Sequence, residues 1–117
     1  MNPRLFLENE TAAGLYEQVK ALPIVDYHCH LSPREIYEDI PFDNIAQMWL
    51  SGDHYKWRLM RAAGVAEEQI AATVCGYETF CAYAAAVSLA AGNPLYHWTM
   101  MELSRYFGID TPLNEET

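Results

Sequence analysis

The stretch Ile24-Val25-Asp26-Tyr27-His28-Cys29-His30 decides the reading of this chain. Ile24 to His28 is a β-branched and aromatic run between Pro23 and a turn, the composition of one short buried strand. Residues two apart in a strand project to one side, so Asp26, His28 and His30 share a face and Cys29 points the other way. Two neutral imidazoles on one face can reach a single cation, and imidazole suits zinc as well as manganese, iron or cobalt. The pair does not complete a site, because a catalytic zinc normally has three protein ligands and an open position. His54 and His97 are the remaining histidines, and Asp26 has the right parity but lies two residues deeper. An isolated His-x-His is equally consistent with two adjacent histidines, one of them in a structural hydrogen bond.

Everything outward from that stretch reads as helix. Leu15, Tyr16, Val19 and Leu22 suggest a helix from about Thr11 to Ala21, stopped by Pro23. Ser32 with Pro33 and Glu35 is an N-cap arrangement that opens a helix directly after the histidines. Asp43 and Asn44 precede a short helix ending before Gly52; Asp53 caps another from His54 to about Ala63, closed by Gly64. The segment from Glu67 to Cys75 is less clear. Tyr77 to Ala91 is Ala-rich and helical, Asn93-Pro94 opens a helix running to Phe107 before Gly108, and Thr111 to Thr117 resembles a further helix start. One strand cannot form a sheet alone, since its backbone groups need partners. The expectation is therefore the N-terminal part of a larger protein, mostly α-helical with one short β-strand.

Composition sets the outer bounds. The 117 residues carry a formal net charge of −9, with 51% hydrophobic and 13% aromatic residues, which describes a folded domain and excludes an acidic disordered tail. The chain is too short for a complete (β/α)8 barrel, which takes roughly 200 residues or more. The acidic balance argues against nucleic acid as a partner. The N-terminus lacks the apolar core of a signal peptide, and the longest weakly polar run, Cys81 to Ala91, is too short to span a bilayer. A soluble cytoplasmic protein is expected. Cys29, Cys75 and Cys81 form no CxxC pair and read as reduced thiols.

Two further segments bear on chemistry. Gly52-Asp53-His54-Tyr55-Lys56-Trp57-Arg58, with Arg61 beyond it, concentrates basic residues at a helix N-terminus in an otherwise acidic chain. That is an anion site in prospect, or a solvated helix face with Tyr55 and Trp57 in the core. In Gly92-Asn93-Pro94-Leu95-Tyr96-His97-Trp98-Thr99, the residues Leu95, Trp98, Glu102 and Tyr106 fall near one helical face, which points to packing.

These three segments, in this order, resemble the N-terminal quarter of the uronate (glucuronate) isomerase family of the amidohydrolase superfamily. The His-x-His pair is common to many metal-dependent hydrolases; the other two segments are specific to the isomerases. The resemblance implies an α/β parent, a metal-dependent hydrolase-like (β/α)8 TIM barrel. In it, residues 1–117 are the N-terminal part, 24–28 the first barrel strand and 33–107 a helical insertion. It implies His28 and His30 as ligands of a divalent metal, usually zinc, and His54 and Tyr55 as active-site residues contacting a hexuronate, with Tyr55 a proton donor or orienter. The implied reaction interconverts D-glucuronate with D-fructuronate and D-galacturonate with D-tagaturonate by proton transfer between C2 and C1. Lys56, Arg58 or Arg61 can assist the anion by charge alone. Met100 stands where relatives typically have histidine, and the later aspartate and arginines of the family are absent, so the chain alone is expected to be inactive. A metal-dependent hydrolase of the same superfamily and a non-enzymatic helical interaction module are the competing expectations. An exposed strand edge makes self-association a reasonable one.

Overall fold

A computed structural model describes residues 7–70 and 76–116 and contains seven helices among them. These are α1 (Glu10–Val19), α2 (Pro33–Glu38), α3 (Ile45–Leu50), α4 (His54–Ala62), α5 (Glu67–Ile70), α6 (Tyr77–Ser88) and α7 (Pro94–Phe107). Most begin where a short polar side chain can accept from the first orphan amides. Asn9 Oδ1 accepts from the Ala12 amide at 2.8 Å, and Ser32 Oγ from the Glu35 amide at 3.4 Å. Asn93 Oδ1 accepts from the Leu95 amide at 2.9 Å, with Pro94 already holding the φ that the first turn needs. At α3 the cap is Asn44 rather than Asp43: Asn44 Oδ1 accepts from the Gln47 amide at 2.9 Å, while Gln47 Oε1 accepts from the Asp43 amide at 2.6 Å. Residues 71–75, including Cys75 and the end of the unclear segment, lie outside the described residues.

Helix α6 is the centre of the molecule, with α3, α4, α5 and α7 packed around it. Its Tyr83, Ala84, Ala86 and Val87 are buried with Trp49 and Leu50 of α3, Met60 of α4, Ile70 of α5 and Met100 and Leu103 of α7. Trp49 meets Phe80 in a stacked arrangement at 6.1 Å and Tyr83 edge-on at 6.2 Å. The polar atoms inside are matched: Tyr83 Oη and Thr99 Oγ1 share a 2.6 Å hydrogen bond, and Trp57 Nε1 donates to the Leu50 carbonyl at 2.6 Å.

The N-terminal third stands apart from this core. Only Ala13 of α1 is buried, and α2 buries nothing. The radius of gyration is 16.1 Å, against about 13 Å for a compact domain of this length. No helix among the described residues is long and apolar enough to cross a membrane.

Three expectations are corrected. The run 24–28 is not a strand: no strand occurs among the described residues, and Ile24, Val25 and Tyr27 are 92%, 86% and 98% exposed. A strand exists only when another backbone accepts its hydrogen bonds, and no described segment does so here. Local turns shape the loop instead, with Asp26 Oδ1 accepting from the His28 amide at 3.0 Å and Cys29 Sγ from the Leu31 amide at 3.4 Å. Residues 111–116 do not start a helix; Leu113 drops into the core, its amide donating to Met100 Sδ at 3.3 Å. On α7 the buried side is Thr99, Met100 and Leu103, and the Leu95, Trp98, Glu102 and Tyr106 face is left with Trp98 and Tyr106 exposed. On the side that meets α6, Met100 and Leu103 join the core and Thr99 shares a hydrogen bond with Tyr83.

Candidate metal and sugar-acid site

The two imidazoles converge without a strand beneath them. His28 Nε2 and His30 Nε2 lie 3.2 Å apart, with ring centroids at 5.3 Å and planes tilted by 46°. Two nitrogens bound at about 2.0–2.1 Å to one tetrahedral zinc are separated by about 3.3 Å, so the pair fits two positions of a single cation's shell. In the cation's place, the same approach is a hydrogen bond from one ring to the other. Asp26, whose parity made it a candidate, spends Oδ1 on the His28 amide. Among the described residues, no group of three or more His, Cys, Asp or Glu side chains is arranged to hold a metal.

The opposite wall is the first turn of α4. Asp53 Oδ1 accepts from the amides of Tyr55 and Lys56 at 2.9 and 3.1 Å, and Oδ2 takes the Lys56 ammonium at 2.8 Å. Partial burial alone pushes the Asp53 carboxyl up, but the hydrogen bonds from the Lys56 ammonium and from both amides outweigh it and hold it below its ordinary value. Lys56 is itself largely covered and lies 5.8 Å over the Trp49 ring. Asp53 therefore fixes both the start of α4 and the direction of its lysine.

His28, His30, Glu35, Trp49, Tyr55 and Lys56 line one cleft of about 600 Å³. The other sequence candidates are placed elsewhere. His54 is exposed and sits edge-on to Trp57 at 4.8 Å, off the cleft wall. Arg58 carries its guanidinium over the Tyr55 ring at 5.6 Å and lines a second cleft, of about 620 Å³, with Asn93, Leu95 and Trp98. Arg61 is paired with Glu67, Nε to Oε2 at 2.8 Å. Tyr55 is thus the one residue shared by both clefts. Glu35 and Trp49 were not singled out from sequence as cleft residues. Glu35 reads as part of a helix cap and Trp49 as one residue of the short helix before Gly52, and nothing local marks either as a cleft residue.

The sequence profile of the glucuronate isomerase family matches residues 1–117. The chain is 54% identical to a uronate isomerase of Caldicellulosiruptor saccharolyticus and 57% identical to one of Caldanaerobacter subterraneus subsp. tengcongensis. It is 53% identical to one of Bacillus subtilis, and each of the three alignments covers 100% of this chain and 25% of the relative. The fold superposes on the crystal structure of uronate isomerase from Thermotoga maritima with a TM-score of 0.88 at 39% identity, over 97% of this chain and 25% of that one. The chain thus spans about a quarter of the length of the relatives it matches. On sequence and on fold together, the chain belongs to the glucuronate isomerase family.

Proposed function

We propose that this chain is the cation-holding and sugar-acid-contacting part of a uronate isomerase, a cytoplasmic enzyme of hexuronate breakdown built on a metal-dependent hydrolase-like (β/α)8 barrel. Its reaction interconverts D-glucuronate with D-fructuronate and D-galacturonate with D-tagaturonate. The observation that carries this reading is the 3.2 Å approach of the His28 and His30 Nε2 atoms on the wall of a cleft that also receives Tyr55 and Lys56. A divalent cation, zinc by the resemblance to the family, would be held by His28 and His30 and would supply Lewis-acid polarisation of the substrate oxygens.

The chain's own residues supply the rest of what these elements can do. Aldose to ketose interconversion moves a proton from C2 to C1 through an enediol, with hydroxyl protons redistributed along the way. Tyr55, exposed at the cleft and held at the first turn of α4 by Asp53, exchanges such a hydroxyl proton. Lys56 lines the same cleft with its ammonium paired to Asp53, so it meets a uronate carboxylate only by sharing that charge. His54, expected from the resemblance to contact the sugar acid, and Arg58, expected to assist by charge, lie outside this cleft, Arg58 in the neighbouring one that shares Tyr55.

The test replaces the matched quarter of the Bacillus subtilis relative with residues 1–117 and measures conversion of D-glucuronate to D-fructuronate. Turnover by the chimera is expected, and no turnover by the 117-residue chain alone. His28→Ala or His30→Ala should lower the chimera's rate at least 100-fold and weaken zinc binding to the isolated chain at least tenfold by calorimetry. Tyr55→Phe should lower kcat with little change in KM. A chimera that folds but does not isomerise, or one indifferent to both histidines, defeats the reading.

A further inference from the structure

Six titratable side chains line the cleft that holds the histidine pair: His28, His30, Glu35, Asp53, Tyr55 and Lys56. The two imidazoles approach each other, and Asp53 is fully engaged with Lys56 and two backbone amides. Glu35 is placed differently. It stands at the third position of α2 behind the Ser32 cap, where a carboxylate ordinarily reaches back to the cap amide. Only half of that arrangement forms: Ser32 Oγ accepts from the Glu35 amide at 3.4 Å, while the Glu35 carboxylate makes no hydrogen bond or ion pair to any described residue. Its neighbour Arg34 pairs with Glu38 instead, at 2.9 Å. Nor does Glu35 join the histidines as a ligand, since no group of three such side chains among the described residues is arranged to hold a metal.

We propose that Glu35 is a substrate-orienting residue of this cleft, its carboxylate accepting hydrogen bonds from the hydroxyl groups of the sugar acid; the inference rests on the uronate reading proposed above. A polyhydroxylated chain brings several donors, and a carboxylate accepts through two oxygens in charge-assisted bonds that are stronger than neutral ones. The same negative charge repels the substrate's own carboxylate. A uronate therefore lies with hydroxyl-bearing carbons against α2 and with its carboxylate turned away, towards the α4 wall. Because α2 follows His30 directly, Glu35 thereby fixes which end of the sugar acid meets the histidine pair.

The test protein is the chimera of residues 1–117 with the Bacillus subtilis relative. Binding is read by calorimetry with L-gulonate, the alcohol made by reducing C1 of D-glucuronate, so the readout needs no turnover. Glu35→Ala should weaken L-gulonate binding by about tenfold or more and raise KM for D-glucuronate by a similar factor, with a smaller effect on kcat. Glu35→Gln keeps one accepting oxygen and should lose less. Zinc affinity should stay within about threefold in both variants, and helical circular dichroism should be unchanged, since alanine is the strongest helix former and the carboxylate holds no described neighbour. Unchanged L-gulonate binding in Glu35→Ala, an equal loss in the two variants, or zinc weakened by about tenfold or more overturns the proposal. A chimera that binds L-gulonate through Glu35 without isomerising D-glucuronate supports this role and counts against the proposed function. One that isomerises with the same KM in all three forms leaves the proposed function standing and defeats the role of Glu35, and one that folds but binds no L-gulonate defeats both.

Discussion

At the residue scale, Asp53 does the most with one side chain. It caps α4 through two amides and pairs with a lysine that is 12% exposed. Asp53→Ala removes cap and partner together and should cost about 1–2 kcal/mol of unfolding free energy. Asp53→Asn keeps the accepting Oδ1 and should lose roughly half of that; urea denaturation of the two variants checks the ordering. The pH dependence follows from the depressed carboxyl. Its contribution is fully present above the ordinary value of 3.8 and is lost as the pH falls through the lower folded value, so the wild type should show an acid-side decline that Asp53→Asn reduces. The Asp53 cap and the His-x-His pair were legible in the sequence because both act within three residues. The separation of Arg58 from His28 was not, because it depends on where α4 lies against the start of α7.

At the element scale, the local signals for helix starts and stops were mostly sufficient. Ser32-Pro33, Asp53 and Asn93-Pro94 begin helices where their side chains reach orphan amides, and Gly108 ends α7 with φ at 68°. That left-handed conformation disfavours any Cβ, and no neighbouring atom lies within 4 Å of where one would stand. Gly108→Ala should therefore cost about 1 kcal/mol through backbone strain alone, with thermal unfolding lowered and the core packing unaltered. The Thr111-Pro112 signal misleads for a tertiary reason: burying Leu113 against Met100 holds the segment in another path. The same kind of reason governs α7. Its sequence offers two apolar sides, and the one that faces α6 carries Met100, Leu103 and Thr99, which shares a hydrogen bond with Tyr83.

At the scale of the whole molecule, stability belongs to the bundle around α6, and Tyr83 ties its two longest helices together. Burial pushes the Tyr83 phenol up to about 12, against the pull of its Thr99 hydrogen bond. The folded state thus keeps this proton more tightly than the unfolded chain does. Its stability is intact below the ordinary value of 10.0 and is lost as the pH rises towards about 12. Tyr83→Phe leaves the buried Thr99 hydroxyl without that partner and should cost about 1–2 kcal/mol at neutral pH. It should also flatten the alkaline decline, which a pH series of thermal melts between 8 and 12 reads directly. The arm from α1 to α2 contributes little to this cooperative unit, because it buries only Ala13.

By itself, the sequence determined the helices other than α5 together with their caps, the adjacency of two imidazoles and, through three segments, the family. Those signals are satisfied by hydrogen bonds spanning a few residues, so they survive without knowledge of the rest of the fold. Only the tertiary structure decided that His28, His30, Tyr55 and Lys56 meet in one cleft, that Arg58 faces another, and which side of α7 is buried. It also decided that Ile24–His28 is an open segment and not a strand. Each of these depends on surfaces brought together from distant parts of the chain, and for the strand on a partner backbone that no described residue provides.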